Sequence, residues 1–299
     1  MKLGQVKRWF GEALSSPAPA AKPGDGRAVG DARPVGMAAA PESLAALSIW
    51  HPSRLALVEK LWGEGFVHPG GAEELLHLVN PMGLSGADTL LLLGAGPFGA
   101  ARSITAARQC WVEGYERDPD LLSLALHRAE LSGLKKRAPT HLLAPTPQFR
   151  AKSASHALCW QALPDDQAVA PLLAGVAAAT RPGGQLAMVE LVMTDHLDTP
   201  AAQRWLQLEH RPVLPPRAAT ISAELKHLGF DVRIVEDISA GHVAQAMGGW
   251  QTMLGTIGTH RPDHKQAWQM VGEAEMWLLR VKLLQAGRLR LMRWQAIRR

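Results

Sequence analysis

Residues 89–116 read TLLLLGAGPFGAARSITAARQCWVEGYE. Leu90 to Leu93 form an unbroken apolar run, which suits a strand buried on both faces. Gly94-Ala95-Gly96 allows a sharp turn, and its missing side chains let a ligand approach the backbone. Residues 99–108 are small and Ala-rich, as in a helix packed tightly on a sheet. Residues 110–115 are a second strand, and Glu116 stands at its carboxyl end, twenty positions after Gly96. At that spacing an acid can bond the hydroxyls of a nucleoside ribose held over the glycine turn. The pattern Gly94-x-Gly96-x-x-Gly99 with Glu116 favours nucleoside binding over an ordinary tight βα turn.

Before this unit, residues 44–61 carry apolar positions at helical spacing. Residues 61–71, LWGEGFVHPGG, are too rich in Gly and Pro for regular structure, and their aromatics suit a loop over a site. Residues 72–79 are a helix candidate. After Glu116, Asp118-Pro119 opens a helix to about Ser132. Strands are expected at 140–144, 155–160, 185–192, 230–238 and 288–297, and helices at 165–179, 218–228, 241–258 and 263–285. This alternation predicts one doubly wound α/β sheet of seven strands, with a helical insertion before the last. Residues 1–41 stand apart. An amphipathic stretch, 2–14, precedes an Ala/Pro/Gly-rich linker, so the folded domain is expected at 42–299.

Laid out in this order, the chain resembles the class I S-adenosylmethionine-dependent methyltransferases. LLLLGAGPFG is similar to their first motif, under the methionine part of the cofactor. Val112-x-Gly114-x-Glu116-x-Asp118-Pro119 resembles their second-strand motif, whose acid holds the ribose. Thr180-Arg181-Pro182-Gly183-Gly184-Gln185-Leu186 resembles the turn before the fifth strand, and Leu228-Gly229-Phe230-Asp231-Val232 the sixth-strand region. The loop WGEGFVHPGG is similar to the segment that closes over the cofactor in phosphoethanolamine and sarcosine-type enzymes. The resemblance implies a Rossmann-like sheet with a helical lid and S-adenosylmethionine as cofactor. The implied cofactor-binding set is Trp62, Gly94, Ala95, Gly96, Glu116, Arg117 and Trp160, with Phe66 and Gly70-Gly71 in the pocket wall.

The departures are specific. Leu92 stands where the first motif usually has an acid. His141-Leu142-Leu143-Ala144-Pro145 lacks the acid that often meets the adenine, and the fourth strand, Ser155 to Trp160, lacks its opening acid. Phe66 replaces the closing-loop tyrosine of phosphobase enzymes, and the chain has a single Tyr, Tyr115. The phosphobase chemistry is therefore not expected to carry over.

Candidates for substrate contact are His68 in the loop, Glu190 at the end of the fifth strand and His196 beyond it. Each competes with a structural or surface role. The twelve His and two Cys show no metal spacing. Cys110 and Cys159 fall in expected strands and read as small buried apolar residues, which fits a reducing, cytoplasmic compartment. Trp250, Trp268 and Trp277, with nearby methionines, could wall an apolar acceptor pocket, but core packing is the expected reading. The net charge of +5 gathers at the C-terminus, where a solvated basic face is expected rather than nucleic-acid binding. No apolar run is long enough to span a bilayer, and the N-terminus lacks a signal peptide's apolar core. The expected function is methyl transfer to a small or lipid-like acceptor. The alternative is a non-catalytic methyltransferase-like subunit that binds a protein. Residues 1–14 are the candidate contact for a protein partner or a membrane surface.

Overall fold

The computed structural model describes residues 49–194, 197–256 and 263–299. The linker, residues 1–14 and His196 lie outside them. Helix α1, Pro52–Trp62, starts where Pro52 can occupy the first turn without losing a bond, and the His51 imidazole caps Ser53 N–H. Helix α2 covers Gly71–Val79, followed by a 3-10 turn at Asn80–Met82.

Strand β1, Thr89–Leu93, pairs in parallel with β2, Trp111–Glu116, and with β4, His156–Trp160. Helix α3, Gly99–Arg108, crosses between β1 and β2. Helix α4, Pro119–Leu131, is capped by the Asp118 carboxylate on the N–H groups of Asp120 and Leu121. Strand β3, Thr140–Leu142, lies at one edge. Helix α5 (Val169–Ala179), strand β5 (Gln185–Met193), helix α6 (Pro200–Leu208), helix α7 (Ala218–His227) and strand β6 (Phe230–Asp237) follow. Helices α8 (Ser239–Thr256) and α9 (His264–Gln285) precede the final strand β7, Leu289–Arg298. Helix α6 was not foreseen in the sequence, although Thr199-Pro200 caps it in the usual way.

The sheet order is β3-β2-β1-β4-β5-β7-β6. Strand β7 inserts antiparallel between β5 and β6, so the sheet is mixed at that end. Side chains alternate across the pleat. Leu90, Leu92, Val189 and Leu291 face a core shared with α1, α2, α3, α4, α6, α8 and α9. Leu91, Leu93, Met188 and Trp294 face a second core with α5 and α7. Trp250 and Trp277 are buried as expected, but Trp268 is 63% exposed, because helical periodicity sets it on the face of α9 opposite Met270, Ala274 and Trp277, which enter the core. Cys110 and Cys159 are buried free thiols. No described helix is long and apolar enough to cross a membrane.

Candidate functional site

The strand order reverses between β1 and β4, and in open α/β sheets a ligand crevice forms outside the carboxyl ends at such a point. The N–H groups of Gly94 and Ala95 both donate to Tyr115 O, at 3.0 and 3.1 Å, which draws the turn under the end of β2. A Cβ on Gly94 would stand 2.2 Å from Trp160 O, so only glycine lets β1 and β4 close here. Gly96 N–H donates to Glu116 Oε2 at 2.7 Å, and Asp118 N–H to Oε1 at 2.9 Å. Burial raises the Glu116 pKa, against the pull of those two backbone bonds.

These residues fit a nucleoside. Each Glu116 oxygen has used one bond and keeps acceptor capacity for a hydroxyl. A Cβ built on Gly96 would meet nothing nearer than 3.9 Å, so the turn keeps room on its open side. Arg117 donates from Nη1 to Ala162 O at 3.2 Å, and its guanidinium spans from β2 to the loop after β4. Leu92, fully buried, pairs with Gly114 and Leu158 in register. A carboxylate in that apolar row would meet a high desolvation cost, whereas leucine is stabilised by burial.

Residues 63–70 sit on the glycine turn. Gly99 N–H donates to Gly65 O at 3.0 Å, and a Cβ on Gly99 would lie 2.4 Å from that oxygen. Glu59 Oε1 accepts from Gly65 N–H at 2.9 Å, while Arg128 Nη2 donates to Glu59 Oε2 at 3.0 Å. Arg128 Nη1 also donates to Pro97 O at 3.1 Å, so one guanidinium ties α1, α4 and the turn together. Phe66 lies 6.3 Å and His68 5.7 Å, ring to ring, from Trp160. Trp62, which the resemblance places in the cofactor-binding set, is 5% exposed and anchored in the core. Its ring stacks edge-on against Trp277 at 5.0 Å and is wedged on Gly249, deep in the core between α8 and α9.

Beyond Trp160 opens a cavity of about 230 Å³, bounded by α2, α8 and the strands. His68, Trp160, Gln161 and His242 form its inner wall, and Glu74, His77, Glu236 and Arg293 belong to the same lining. Burial and the Arg280 charge lower His68 to about 3, and burial also lowers His242 well below the usual histidine value. Both are therefore neutral imidazoles around pH 7. Glu190 is not brought to this cavity. It occupies the opposite pleat from Val189 and Leu191, and its oxygens accept from Leu163 N–H at 2.9 Å and Leu191 N–H at 3.2 Å. Burial pushes its pKa up to about 7. Gln161, His242 and Arg280 were missed in the sequence, where a buried polar residue carries no local signal. Among the described residues no group of His, Cys, Asp and Glu is placed to hold a metal.

No protein-family model matches the chain, and no curated protein matches it in sequence. Solved structures match in shape. Phosphoethanolamine N-methyltransferase 2 of Haemonchus contortus, with S-adenosyl-L-methionine, superposes at a TM-score of 0.71 and 16% identity, over 82% of this chain and 56% of that one. Geranyl diphosphate C-methyltransferase of Streptomyces coelicolor, with S-adenosyl-L-homocysteine, gives 0.59 and 11%, over 76% and 75%. The fold is that of the class I methyltransferases. The [4+2]-cyclase SpnF shares it, at a TM-score of 0.61 and 16% identity over 82% and 92%. The chain spans about half of the Haemonchus methyltransferase, and the methyltransferase fold is what these likenesses establish.

Proposed function

We propose that this chain binds S-adenosylmethionine at the glycine turn and transfers its methyl group to a small polar molecule in the cavity beyond Trp160. The observation that carries this reading is the seating of residues 63–70 on the turn beside Glu116, with a cavity lined by His68 of the same segment and by Trp160, whose carbonyl packs on Gly94. When bound, S-adenosylmethionine supplies an electrophilic methyl group on a sulfonium. The chain's own task is positioning and exclusion of water. Glu116 holds the ribose hydroxyls, Gly96 lets the ligand approach the backbone, and Phe66 with Trp160 supplies an apolar wall. Arg117 closes the crevice from the side of β2. His68 remains neutral and hydrogen-bonds the acceptor rather than taking its proton, because an imidazole held at about 3 is a weak base at pH 7.

The polar lining and modest volume of the cavity favour a small polar acceptor over a lipid-like one. Calorimetry of the full chain with S-adenosylmethionine and S-adenosylhomocysteine tests the reading. Saturable binding of both, one per chain, is expected. No heat with either ligand would overturn it.

A further inference from the structure

A buried polar cluster lies directly behind the cavity. Arg280, on α9, is 3% exposed. Its one hydrogen bond among the described residues runs from Nη2 to Gln161 Oε1, at 2.7 Å, and its Nε is buried without a partner. That bond settles the orientation of the Gln161 amide, since only its oxygen can accept from a guanidinium. The Gln161 NH₂ group is thus the end left over, and it too is buried without an acceptor. His242, 5% exposed, likewise has an unpartnered Nε2. Gln161 and His242 both line the cavity, together with His68. Gln161 also holds a left-handed backbone, φ 49°, fixed by its N–H donating to Val189 O at 2.8 Å. That conformation is costly for a residue other than Gly or Asn, and with it the amide stands against Arg280.

The charges around the cluster leave a positive surplus. Glu273 is bonded to Arg54 Nε at 2.8 Å and to Trp277 Nε1 at 3.2 Å. Glu209 stands between two guanidiniums, 3.7 Å from Arg280 and 3.9 Å from Arg211, beyond hydrogen-bond length for both. Three guanidiniums therefore face two carboxylates. Glu190, a third acid within electrostatic range of Arg280, has its pKa raised by burial to about 7, so it offers only partial negative charge there, and both its oxygens accept from backbone N–H groups. The carboxylates that line the cavity are already engaged, Glu74 with Gln245 and Glu236 with Arg293. Arg280 has partial compensation from Glu209 at 3.7 Å and from the Trp277 ring face at 4.9 Å; the unpaired buried donors beside it remain costly unless an anion with acceptor oxygens completes them.

We propose that the cavity wall formed by Gln161 and His242, backed by Arg280, is the subsite for an anionic oxyacid group of the ligand, a carboxylate or a phosphate. The Gln161 NH₂ and His242 Nε2 lie just beneath the cavity surface with no area open to it, so each side chain turns toward the oxyanion to donate, and the guanidinium supplies charge through the Gln161 amide and at close range. That this ligand is the methyl acceptor rests on the reading above; the anion subsite itself stands without it.

The test uses the full chain with inorganic phosphate and, separately, acetate, each against chloride at matched ionic strength. Saturable thermal stabilisation by at least one of the two anions is expected, and which of them acts distinguishes a phosphate from a carboxylate ligand. Gln161→Asn keeps a residue at ease in the left-handed backbone but withdraws the amide, and should weaken anion affinity at least about tenfold, the scale of a lost bond to a charged group. Arg280→Gln should abolish the stabilisation; if that variant fails to fold, Gln161→Asn decides. No stabilisation beyond chloride, or parent-like affinity in Gln161→Asn, would overturn the subsite. Anion binding without any cofactor binding would keep this inference and remove the methyl-transfer reading, and the opposite pattern would do the reverse.

Discussion

Glu116 combines two tasks in one carboxylate. It secures Gly96 N–H and Asp118 N–H, and in the proposed function it also takes the ribose hydroxyls. Glu116→Ala is therefore expected to weaken S-adenosylmethionine binding by about 1.5–3 kcal/mol, the range for hydrogen bonds to a charged group. Calorimetry of the variant checks this, and unchanged affinity would remove the ribose role. Glu190 makes a different prediction. Its folded pKa, about 7, lies above the ordinary carboxylate value, so the folded chain holds a proton that the unfolded chain releases. The associated stability is complete below pH 4.5 and is lost as the pH rises to about 7. The loss amounts to about 3 kcal/mol at most, as an order of magnitude. Denaturant melts from pH 5 to pH 8 should fall more steeply for the parent than for Glu190→Gln, which has nothing to ionise. Parallel profiles would show that Glu190 ionises as easily folded as unfolded. His68 and His242 act in the opposite sense at lower pH, since each must be protonated for the chain to unfold into acid solution, and both variants share that slope.

Residues 63–70 form the element on which the site depends. The sequence reads as a loop over the site, with Trp62 in the implied cofactor-binding set. The structure instead anchors Trp62 in the core and ties the loop through Glu59, Arg128 and the Gly65–Gly99 bond. Two measurements follow from that arrangement. Glu59→Gln removes the charge that holds Gly65 N–H and Arg128 together, so amide exchange across 63–70 should quicken about tenfold or more while the strands keep their protection. Slow exchange in the variant would mean that the glycine contact alone seats the loop. Trp62→Ala should lower global stability by about 3–5 kcal/mol, the usual cost of emptying a buried tryptophan site. A variant that melts like the parent and loses only ligand affinity would return Trp62 to the loop. The missed helix α6 belongs to this scale as well. It is short, and its buried Ala202 and Trp205 are too few to mark a periodic stripe.

For the whole molecule, the proposed boundary between 41 and 42 predicts that removal of residues 1–41 leaves the melting temperature of the remaining chain nearly unchanged, because that stretch carries too few large apolar residues to share a core. A large drop in a thermal melt would place Trp9 and Phe10 on the folded unit. Loss of a partner or membrane fraction with stability intact would make 1–14 a docking peptide. The chain order of strands and helices, the glycine turn and the position of Glu116 were legible in the sequence, because they rest on local periodicity, turn chemistry and the fixed length of a βαβ unit. Tertiary structure alone decided three further matters. Strand β7 enters antiparallel between β5 and β6, a choice made by long-range pairing that no local pattern encodes. Glu190 faces away from His68, and β5 gives no sign of it, since Met188, Val189, Leu191 and Val192 are all apolar and both faces of the strand are buried. Gln161, His242 and Arg280 come from β4's end, α8 and α9, far apart in the chain. Their burial, their unpartnered donors and their shared cavity exist only once those elements are packed together.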